Sequence, residues 1–182
     1  MEKREQEEPF TDGMVEVFSG QGKGKTSAAL GVALRAAGYG LRTHIVFFMK
    51  GDYPYGERKA LAYIPYITFA SFGHPGFVDP MHVKPEEREE ARQALDEARR
   101  ALSSGDCRLV ILDEVNVAVS FGLLNVDEVL RLIEERPRNV ELILTGRGAH
   151  PEVMKRADLV TEMLDIKHPF ERGVPARKGI DY

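Results

Sequence analysis

A glycine-rich segment at residues 19–26, with the sequence Ser-Gly-Gln-Gly-Lys-Gly-Lys-Thr, carries the residue types that bind phosphate. Glycines let the backbone turn tightly and point successive N–H groups at one anion. Lys25 can reach a terminal phosphate, and the Thr26 hydroxyl can coordinate Mg²⁺. The first position of the usual pattern is a glycine, and Ser19 occupies it here. A glycine-rich turn with incidental lysines is the alternative interpretation.

Two carboxylates, Asp113 and Glu114, end an apolar run at residues 109–112. In phosphate-loop proteins, a carboxylate at such a strand end holds Mg²⁺ directly or through water. Because side chains alternate between the faces of a strand, we expect one carboxylate to face the metal and the other to brace a neighbouring group. A solvated strand end without metal is the alternative.

Two further polar groups follow predicted strands. Arg147 lies between Gly146 and Gly148, which expose it, and a planar guanidinium suits phosphate. His168 follows the last predicted strand. A surface arginine in a turn and a structural histidine are the alternatives that these residue types leave open.

Alternating strands and helices would bring these groups together. Apolar runs predict strands at residues 14–19, 43–49, 67–71, 109–112, 140–145 and 159–166, and helices at residues 25–37, 85–104, 126–135 and from residue 151. Gly38 is predicted to end the first helix at its C′ position. This alternation predicts an α/β fold with a mostly parallel sheet flanked by helices. Ligands of such sheets bind at the carboxyl ends of the strands, where all the candidate residues lie.

The composition limits the classes of function. The length of 182 residues suits one domain, and we expect a flexible tail at residues 1–12 followed by a domain at residues 13–182. A short helix that orders over a ligand is the alternative for the charged N-terminal segment. The net charge of −4 gives no basic excess for nucleic acid, and no apolar run approaches the roughly 20 residues that span a bilayer. The single cysteine, Cys107, favours a reducing compartment, the cytoplasm.

In order along the chain, the motifs resemble the cob(I)alamin adenosyltransferases of the phosphate-loop type, which serve cobalamin synthesis and salvage. The set consists of Gly20-Gln21-Gly22-Lys23-Gly24-Lys25-Thr26, Arg35-Ala36-Ala37-Gly38, Lys50-Gly51, Leu112-Asp113-Glu114, Leu144-Thr145-Gly146-Arg147-Gly148, Lys167-His168-Pro169-Phe170 and Gly179-Ile180-Asp181-Tyr182. The resemblance runs from about Val15 to Tyr182, and the Gly-Lys-Gly-Lys-Thr loop has the form found in that family.

The resemblance implies a three-layer phosphate-loop fold, a homodimer, and ATP, Mg²⁺ and a corrinoid as ligands. A flavin-bearing reductase is the implied partner. Triphosphate is expected to bind in reversed orientation, which leaves the ribose 5′ carbon exposed. The implied catalytic residues are Lys25, Thr26 and Glu114, and the metal residues are Thr26, Glu114 and Asp113. The nucleotide residues expected from the motifs are Gly20, Gln21, Gly22, Lys23, Gly24, Lys25, Thr26, Ser27, Arg35, Arg147 and His168.

The loop at residues 72–85 is the candidate surface for the corrinoid. Similar proteins can carry a Phe-x-Trp pair that packs beneath the corrin ring; Phe77 matches the phenylalanine, and Asp79 stands where the tryptophan would be. A phenylalanine that merely packs the loop down is the alternative for Phe77.

Three functions remain open at this point. An adenosyltransferase would transfer the 5′-deoxyadenosyl group of ATP to the cobalt of a reduced corrinoid. An ATPase or kinase would act at the γ-phosphate and would need a group such as Gln21, Asp113 or Glu114 to orient its acceptor. A regulatory module would bind the nucleotide without turnover.

Overall fold

A six-stranded parallel sheet forms the centre of the fold in the computed structural model, which describes residues 10–74 and 76–182. The strands are β1 (Val15–Ser19), β2 (Thr43–Phe47), β3 (Ile67–Ser71), β4 (Leu109–Asp113), β5 (Glu141–Thr145) and β6 (Leu159–Glu162). Their order across the sheet is β3-β2-β4-β5-β1-β6, and every neighbouring pair is parallel. The predicted α/β fold is confirmed, with a sheet that is wholly parallel in the described residues.

Helices cover both faces of this sheet. They are α1 (Lys25–Gly38), α2 (Gly56–Leu61), α3 (Pro85–Ser103), α4 (Val115–Ser120), α5 (Val126–Glu135), α6 (Pro151–Arg156) and a short 3₁₀ helix (Pro169–Arg172). One apolar core joins α1 and α2 to the sheet, and a second core joins α3, α4, α5 and α6 to the other face. The predicted three layers are therefore present.

Small apolar residues let α1 lie close to the sheet. Ala29, Ala33 and Ala36 recur at helical spacing and are buried against the strands. The central strand β4 is buried along all five residues, as expected for a parallel strand covered on both faces. These contacts fix the start of α1 beside the carboxyl end of β4.

The described boundaries differ from the sequence predictions at several places. Helix α1 includes Gly38, and the left-handed glycine after it is Gly40, with φ of 74°. Strand β6 ends at Glu162, before the predicted residue 166, because the backbone there leaves the sheet to bond the glycine-rich loop. The sequence analysis missed α2 and α4, whose six residues each are too few to show a helical period.

The N-terminal segment lies partly outside the described residues, which begin at residue 10. The Phe10 ring lies 4.8 Å from the guanidinium carbon of Arg108, and Asp12 pairs with Arg138 at 3.5 Å. None of the helices in the described chain is long and apolar enough to span a membrane.

The carboxyl groups of Glu16 and Glu141 lie close together near the amino ends of β1 and β5, whereas the candidate site lies at the carboxyl ends of the strands. Burial raises the pKa of Glu16 to about 7, and the hydrogen bond and charge of Glu141 act in the same direction. Arg35 on α1 opposes this rise. Glu16 is thus largely protonated under mildly acidic conditions, where a free carboxyl group would be ionised.

Glu16→Gln is expected to stabilise the fold above about pH 7 and to change little near pH 4. Folding raises the pKa of Glu16 from its ordinary value of 4.5 to about 7. The stability that the protonated carboxyl group provides is therefore complete below pH 4.5 and is lost as the pH rises through about 7. Solvent screens this half-buried group, so we expect a gain of about 1–2 kcal/mol at pH 8. Thermal melts across this range, with exposed Glu89→Gln as the control, measure it. A gain that is equal at every pH would contradict this explanation.

Candidate functional site

The glycine-rich loop connects β1 to α1 through backbone conformations that require glycine. Gly20 has φ of 96°, and Gly24, which precedes the first residue of α1, has φ of 110°. A Cβ atom on Gly20 would lie 2.4 Å from the carbonyl oxygen of Met163. The strand, turn and helix that a phosphate loop needs are therefore present, with the loop at the amino end of α1.

Neighbouring segments hold this loop in place. The Gly22 amide donates to the Met163 carbonyl at 2.7 Å, and the Met163 amide donates to the Ser19 carbonyl at 2.9 Å. The buried Ser19 hydroxyl accepts a hydrogen bond from the Ala149 amide at 3.3 Å. Ser19 therefore ties the loop to the segment after β5, a contact that a glycine at this position could not make.

Lys25 is buried within the loop. Its Nζ atom donates to the carbonyl oxygens of Gly20 at 2.8 Å and Gly22 at 2.6 Å. Burial lowers the pKa of Lys25, the carboxylate of Glu114 opposes the change, and the charge of Arg147 adds to it. A cation that has only neutral oxygens as hydrogen-bond partners would gain a stronger partner in a phosphate group.

Asp113 at the end of β4 is buried and has both carboxylate oxygens engaged. Oδ1 accepts from the Thr145 hydroxyl at 2.7 Å, and Oδ2 lies 2.7 Å from Nζ of Lys50. The Thr145 hydroxyl accepts in turn from the Glu114 amide at 3.0 Å. Asp113 therefore braces its neighbours across two strands, which is one of the two roles expected for the carboxylate pair.

Lys50 and Thr145 are components of this site to which the sequence analysis assigned no role. Lys50 Nζ lies 4.8 Å from the centroid of the Tyr55 ring. Burial alone would lower the pKa of Lys50, but the charge and hydrogen bond of Asp113, together with the charges of Glu114 and Glu57, outweigh burial and raise it. Each residue has one signal in the sequence, since Lys50 follows the second strand and Thr145 ends the fifth, both beside recognisable motifs.

Glu114 immediately precedes α4, and its backbone is left-handed, with φ of 67°. Burial raises the pKa of Glu114, and the charge of Asp113 raises it further, while Lys50, Lys25 and Arg147 oppose the rise. A divalent cation beside Glu114 would favour its ionised form. Glu114 is therefore the carboxylate of the pair with an oxygen available for a metal.

The donors near the loop fit Mg²⁺ bound together with phosphate. Mg²⁺ takes oxygen ligands and is usually held by one or two protein groups plus substrate phosphates. Thr26, the second residue of α1, is partly buried, and Glu114 is the carboxylate that remains available. Within the residues described, no group of three or more His, Cys, Asp or Glu side chains could hold a metal by itself.

Arg147, His168 and Arg35, which are predicted to bind the nucleotide, lie at different distances from the phosphate loop. Arg147 is exposed after β5, and its charge acts on both Lys25 and Glu114. His168 precedes the 3₁₀ helix, where its Nδ1 accepts from the Phe170 amide at 3.1 Å. Arg35 lies ten residues along α1 from Lys25, about 15 Å at the rise of an α-helix, and its charge acts on Glu16. Gln21, Lys23 and Ser27 are exposed on and beside the loop.

Comparison with known proteins identifies the family. The family described as "ATP:corrinoid adenosyltransferase BtuR/CobO/CobP" has a sequence model that matches residues 11–182. The chain belongs to this family. A corrinoid adenosyltransferase of Escherichia coli (strain K12) is 38% identical over 170 residues, which cover 93% of this chain and 86% of that protein.

Two further relatives support the same assignment. A corrinoid adenosyltransferase of Pseudomonas aeruginosa is 37% identical over 171 residues, or 93% of this chain and 84% of that protein. The corrinoid adenosyltransferase CobA of Salmonella typhimurium is 36% identical over 170 residues, or 93% of this chain and 86% of that protein. The resemblance to the corrinoid adenosyltransferases that the motifs indicated is confirmed.

The segment that the resemblance to the corrinoid adenosyltransferases assigns to the corrinoid lies between β3 and α3. Phe77 is fully exposed. Asp79 organises the turn that follows, since its carboxylate accepts from the Met81 amide at 2.9 Å and lies 2.8 Å from Nδ1 of His82. Asp79 therefore has a local structural role at the position where similar proteins can carry tryptophan.

Proposed function

We propose that this protein transfers the 5′-deoxyadenosyl group of ATP to the cobalt of a reduced corrinoid and releases triphosphate, in adenosylcobalamin synthesis. The observation that carries the proposal is the match of the adenosyltransferase family to residues 11–182, the whole described domain and its phosphate loop. The buried Lys25 beside Glu114 and Arg147 supplies the positive charge that a triphosphate requires.

The reaction is a displacement at a saturated carbon. The electron pair of Co(I) forms the bond to the ribose 5′ carbon, and the bond between that carbon and the triphosphate oxygen breaks. The nucleophile carries no proton, so no general base is needed. The protein has to position the two substrates and stabilise the charge of the leaving triphosphate.

Lys25 and the loop amides perform the second task. On binding triphosphate, Lys25 exchanges the neutral carbonyls of Gly20 and Gly22 for phosphate oxygens, which form stronger hydrogen bonds with a cation. The amino end of α1 adds its partial positive charge. Mg²⁺, held by Thr26 and Glu114, supplies further positive charge to the leaving group when bound.

Asp113 and Arg147 complete the nucleotide side. We propose that Asp113 keeps Glu114 and Thr145 in place through the hydrogen bonds described above and acts on the metal only through them. Arg147 contributes a guanidinium whose charge acts on Lys25 and Glu114. Gln21, Lys23, Gly24 and Ser27 border the triphosphate, and the family resemblance implies that Arg35 and His168 lie near the nucleotide.

The segment at residues 72–85 covers the corrinoid in this proposal. Phe77 lies fully exposed in it and has an apolar ring available for a ligand. Apolar packing beneath the corrin ring would disfavour the lower axial ligand of Co(II) and make its reduction to Co(I) easier.

Phe77→Ala is expected to raise the KM for the corrinoid while the affinity for ATP stays unchanged. Because the Phe77 side chain is fully exposed, its removal should change the free energy of unfolding by at most about 0.5 kcal/mol. Steady-state kinetics with each substrate, together with a thermal melt, check this expectation. A variant that loses thermal stability and ATP affinity together would show that Phe77 packs the loop instead.

Three further features are proposed from the family resemblance. The protein works as a homodimer, a flavin-bearing reductase supplies the electron that converts Co(II) to Co(I), and the reaction takes place in the cytoplasm. The single cysteine suits a reducing compartment. Analytical ultracentrifugation tests the dimer directly.

A spectral assay tests the proposed function. Purified protein is mixed with ATP, Mg²⁺ and chemically reduced cobalamin, and the absorbance change that accompanies formation of the cobalt–carbon bond is followed. We expect turnover that depends on all three components. Retention of the reduced cobalamin spectrum, with ATP bound, would contradict the proposal and favour a nucleotide-binding module.

A further inference from the structure

A turn at residues 177–182, here called the strap, lies against the phosphate loop. The amides of Ile180 and Asp181 both donate to the Arg177 carbonyl, at 3.2 and 2.8 Å. The Gly179 amide donates to the Tyr182 carbonyl at 2.8 Å. These bonds close six residues into a turn that presents the Asp181 carboxylate to the loop.

The Asp181 carboxylate joins the strap to Lys23 of the loop. Oδ2 accepts from the backbone amide of Arg177 at 2.8 Å and from its Nε at 3.0 Å, while Oδ1 pairs with Nζ of Lys23. The Asp181 side chain is only 11% exposed, whereas that of Lys23 is 50% exposed. The hydrogen bond from Lys23 holds the pKa of the Asp181 carboxyl well below its usual range. The Asp181 carboxylate is therefore oriented by hydrogen bonds within the strap and forms an ion pair with Lys23 of the phosphate loop.

The other end of the strap reaches the loop after β2. The Tyr182 and Tyr53 ring centroids lie 5.7 Å apart, and those of Tyr53 and Tyr55 lie 4.7 Å apart. Tyr55 in turn contacts Lys50, the ion-pair partner of Asp113. The strap thus bridges two loops that border the nucleotide site.

Lys23 and Lys25 differ in the groups that hold them. Lys25 bonds two neutral carbonyls and can exchange them for phosphate at little electrostatic cost. Lys23 pairs with a carboxylate, so a triphosphate that takes over this ion pair displaces Asp181. The two anions compete for one cation, and each weakens the binding of the other.

We propose that Asp181 acts through Lys23 as a positioning residue that competes with triphosphate for the phosphate loop and so promotes release of the triphosphate product. This inference rests on the proposed function of the loop. Triphosphate that recruits Lys23 releases the strap, and recapture of Lys23 by Asp181 lowers the affinity for the product. No bond is made or broken in this exchange.

Calorimetric titration of the full chain with tripolyphosphate and Mg²⁺ tests the competition. Asp181→Asn keeps the size of the side chain and removes its charge, so it should bind tripolyphosphate about fivefold more tightly than the unmodified chain. Asp96→Asn on the exposed face of α3 makes the same change of charge away from the loop and should leave the affinity unchanged. The gain should shrink at about 0.5 M salt, because exposed charges are screened there.

A double-mutant cycle with Lys23 separates competition from a general charge effect. In a Lys23→Ala background, Asp181→Asn should no longer tighten tripolyphosphate binding. Equal or weaker binding by Asp181→Asn in the unmodified background would overturn the inference and show that the strap simply supports the loop. A gain that persists without Lys23 would also overturn it. If neither the unmodified chain nor Asp181→Asn binds tripolyphosphate, the proposed function of the loop fails as well.

Discussion

Lys25→Ala is expected to lower kcat/KM for ATP by about 100-fold or more without loss of the fold. Within the residues that the structure describes, Lys25 bonds only carbonyl oxygens of its own loop, so its removal breaks no ion pair there that supports the core. The lost group is the one that faces the charge developing on the leaving triphosphate. The effect should therefore appear in the rate, and thermal melts should show a folded protein.

The matched control for this variant is Lys155→Ala, which removes an exposed lysine of α6. It should retain full activity. Thr26→Ala should resemble Lys25→Ala, because the Thr26 hydroxyl is the proposed metal ligand at the same helix end. Turnover close to normal in both Lys25→Ala and Thr26→Ala would contradict the assignment of the phosphate loop.

Neutralising Asp113 should mainly lower the stability of the fold, whereas neutralising Glu114 should mainly raise the Mg²⁺ concentration that activity requires. Asp113→Asn removes the carboxylate 2.7 Å from the buried Lys50 amine and leaves Glu57 at 3.8 Å as the remaining ion-pair partner, so it should destabilise the fold by up to about 3–5 kcal/mol. Glu114→Gln removes a buried charge that Asp113 repels, so stability should stay within about 1 kcal/mol. The Glu114→Gln variant should require an Mg²⁺ concentration that is higher by about tenfold or more for its activity.

Denaturant titrations and Mg²⁺ titrations of activity measure both effects in the same pair of variants. The two changes are chemically identical and occur at adjacent residues, so each variant serves as the control for the other. If Asp113→Asn is stable and shows the larger rise in required Mg²⁺, the two carboxylates have exchanged the roles assigned to them here.

Local spacing was enough to predict the phosphate loop. Lys25 and Thr26 follow glycines between a strand and a helix, and this local pattern identifies the loop even though Met163 and Ala149, far away in sequence, also hold it in place. The parallel sheet was predictable for the same reason, since each strand and long helix carries its own periodicity. The short helices α2 and α4 have too few residues for a period and were missed.

The division of roles that we propose for Asp113 and Glu114 could not be derived from alternation along the strand. It depends on the left-handed backbone at Glu114 and on partners from two other strands, Lys50 after β2 and Thr145 on β5. Long-range contacts of this kind leave no local signal. The ion pair between Lys23 and Asp181, which are 158 residues apart, could not be predicted from the sequence for the same reason.

The structure shows the surroundings of two residues, His168 and Arg35, whose roles were inferred from the family resemblance. His168 accepts a backbone hydrogen bond at the start of the 3₁₀ helix, and Arg35 acts on Glu16 at the far end of α1. Their contacts with the nucleotide stay predictions. Arg147, in contrast, lies where its charge reaches Lys25 and Glu114.

Phosphorus NMR of the reaction mixture tests the central claim most directly, because two bonds of ATP compete as the site of cleavage. Cleavage between the 5′ carbon and its oxygen leaves intact tripolyphosphate, whereas transfer at the γ-phosphate leaves ADP. With ATP, Mg²⁺ and reduced corrinoid, we predict tripolyphosphate as the phosphorus product, and no consumption of ATP when the corrinoid is omitted. ADP and orthophosphate as the main products, formed at a rate indifferent to the corrinoid, would contradict the account and favour an ATPase.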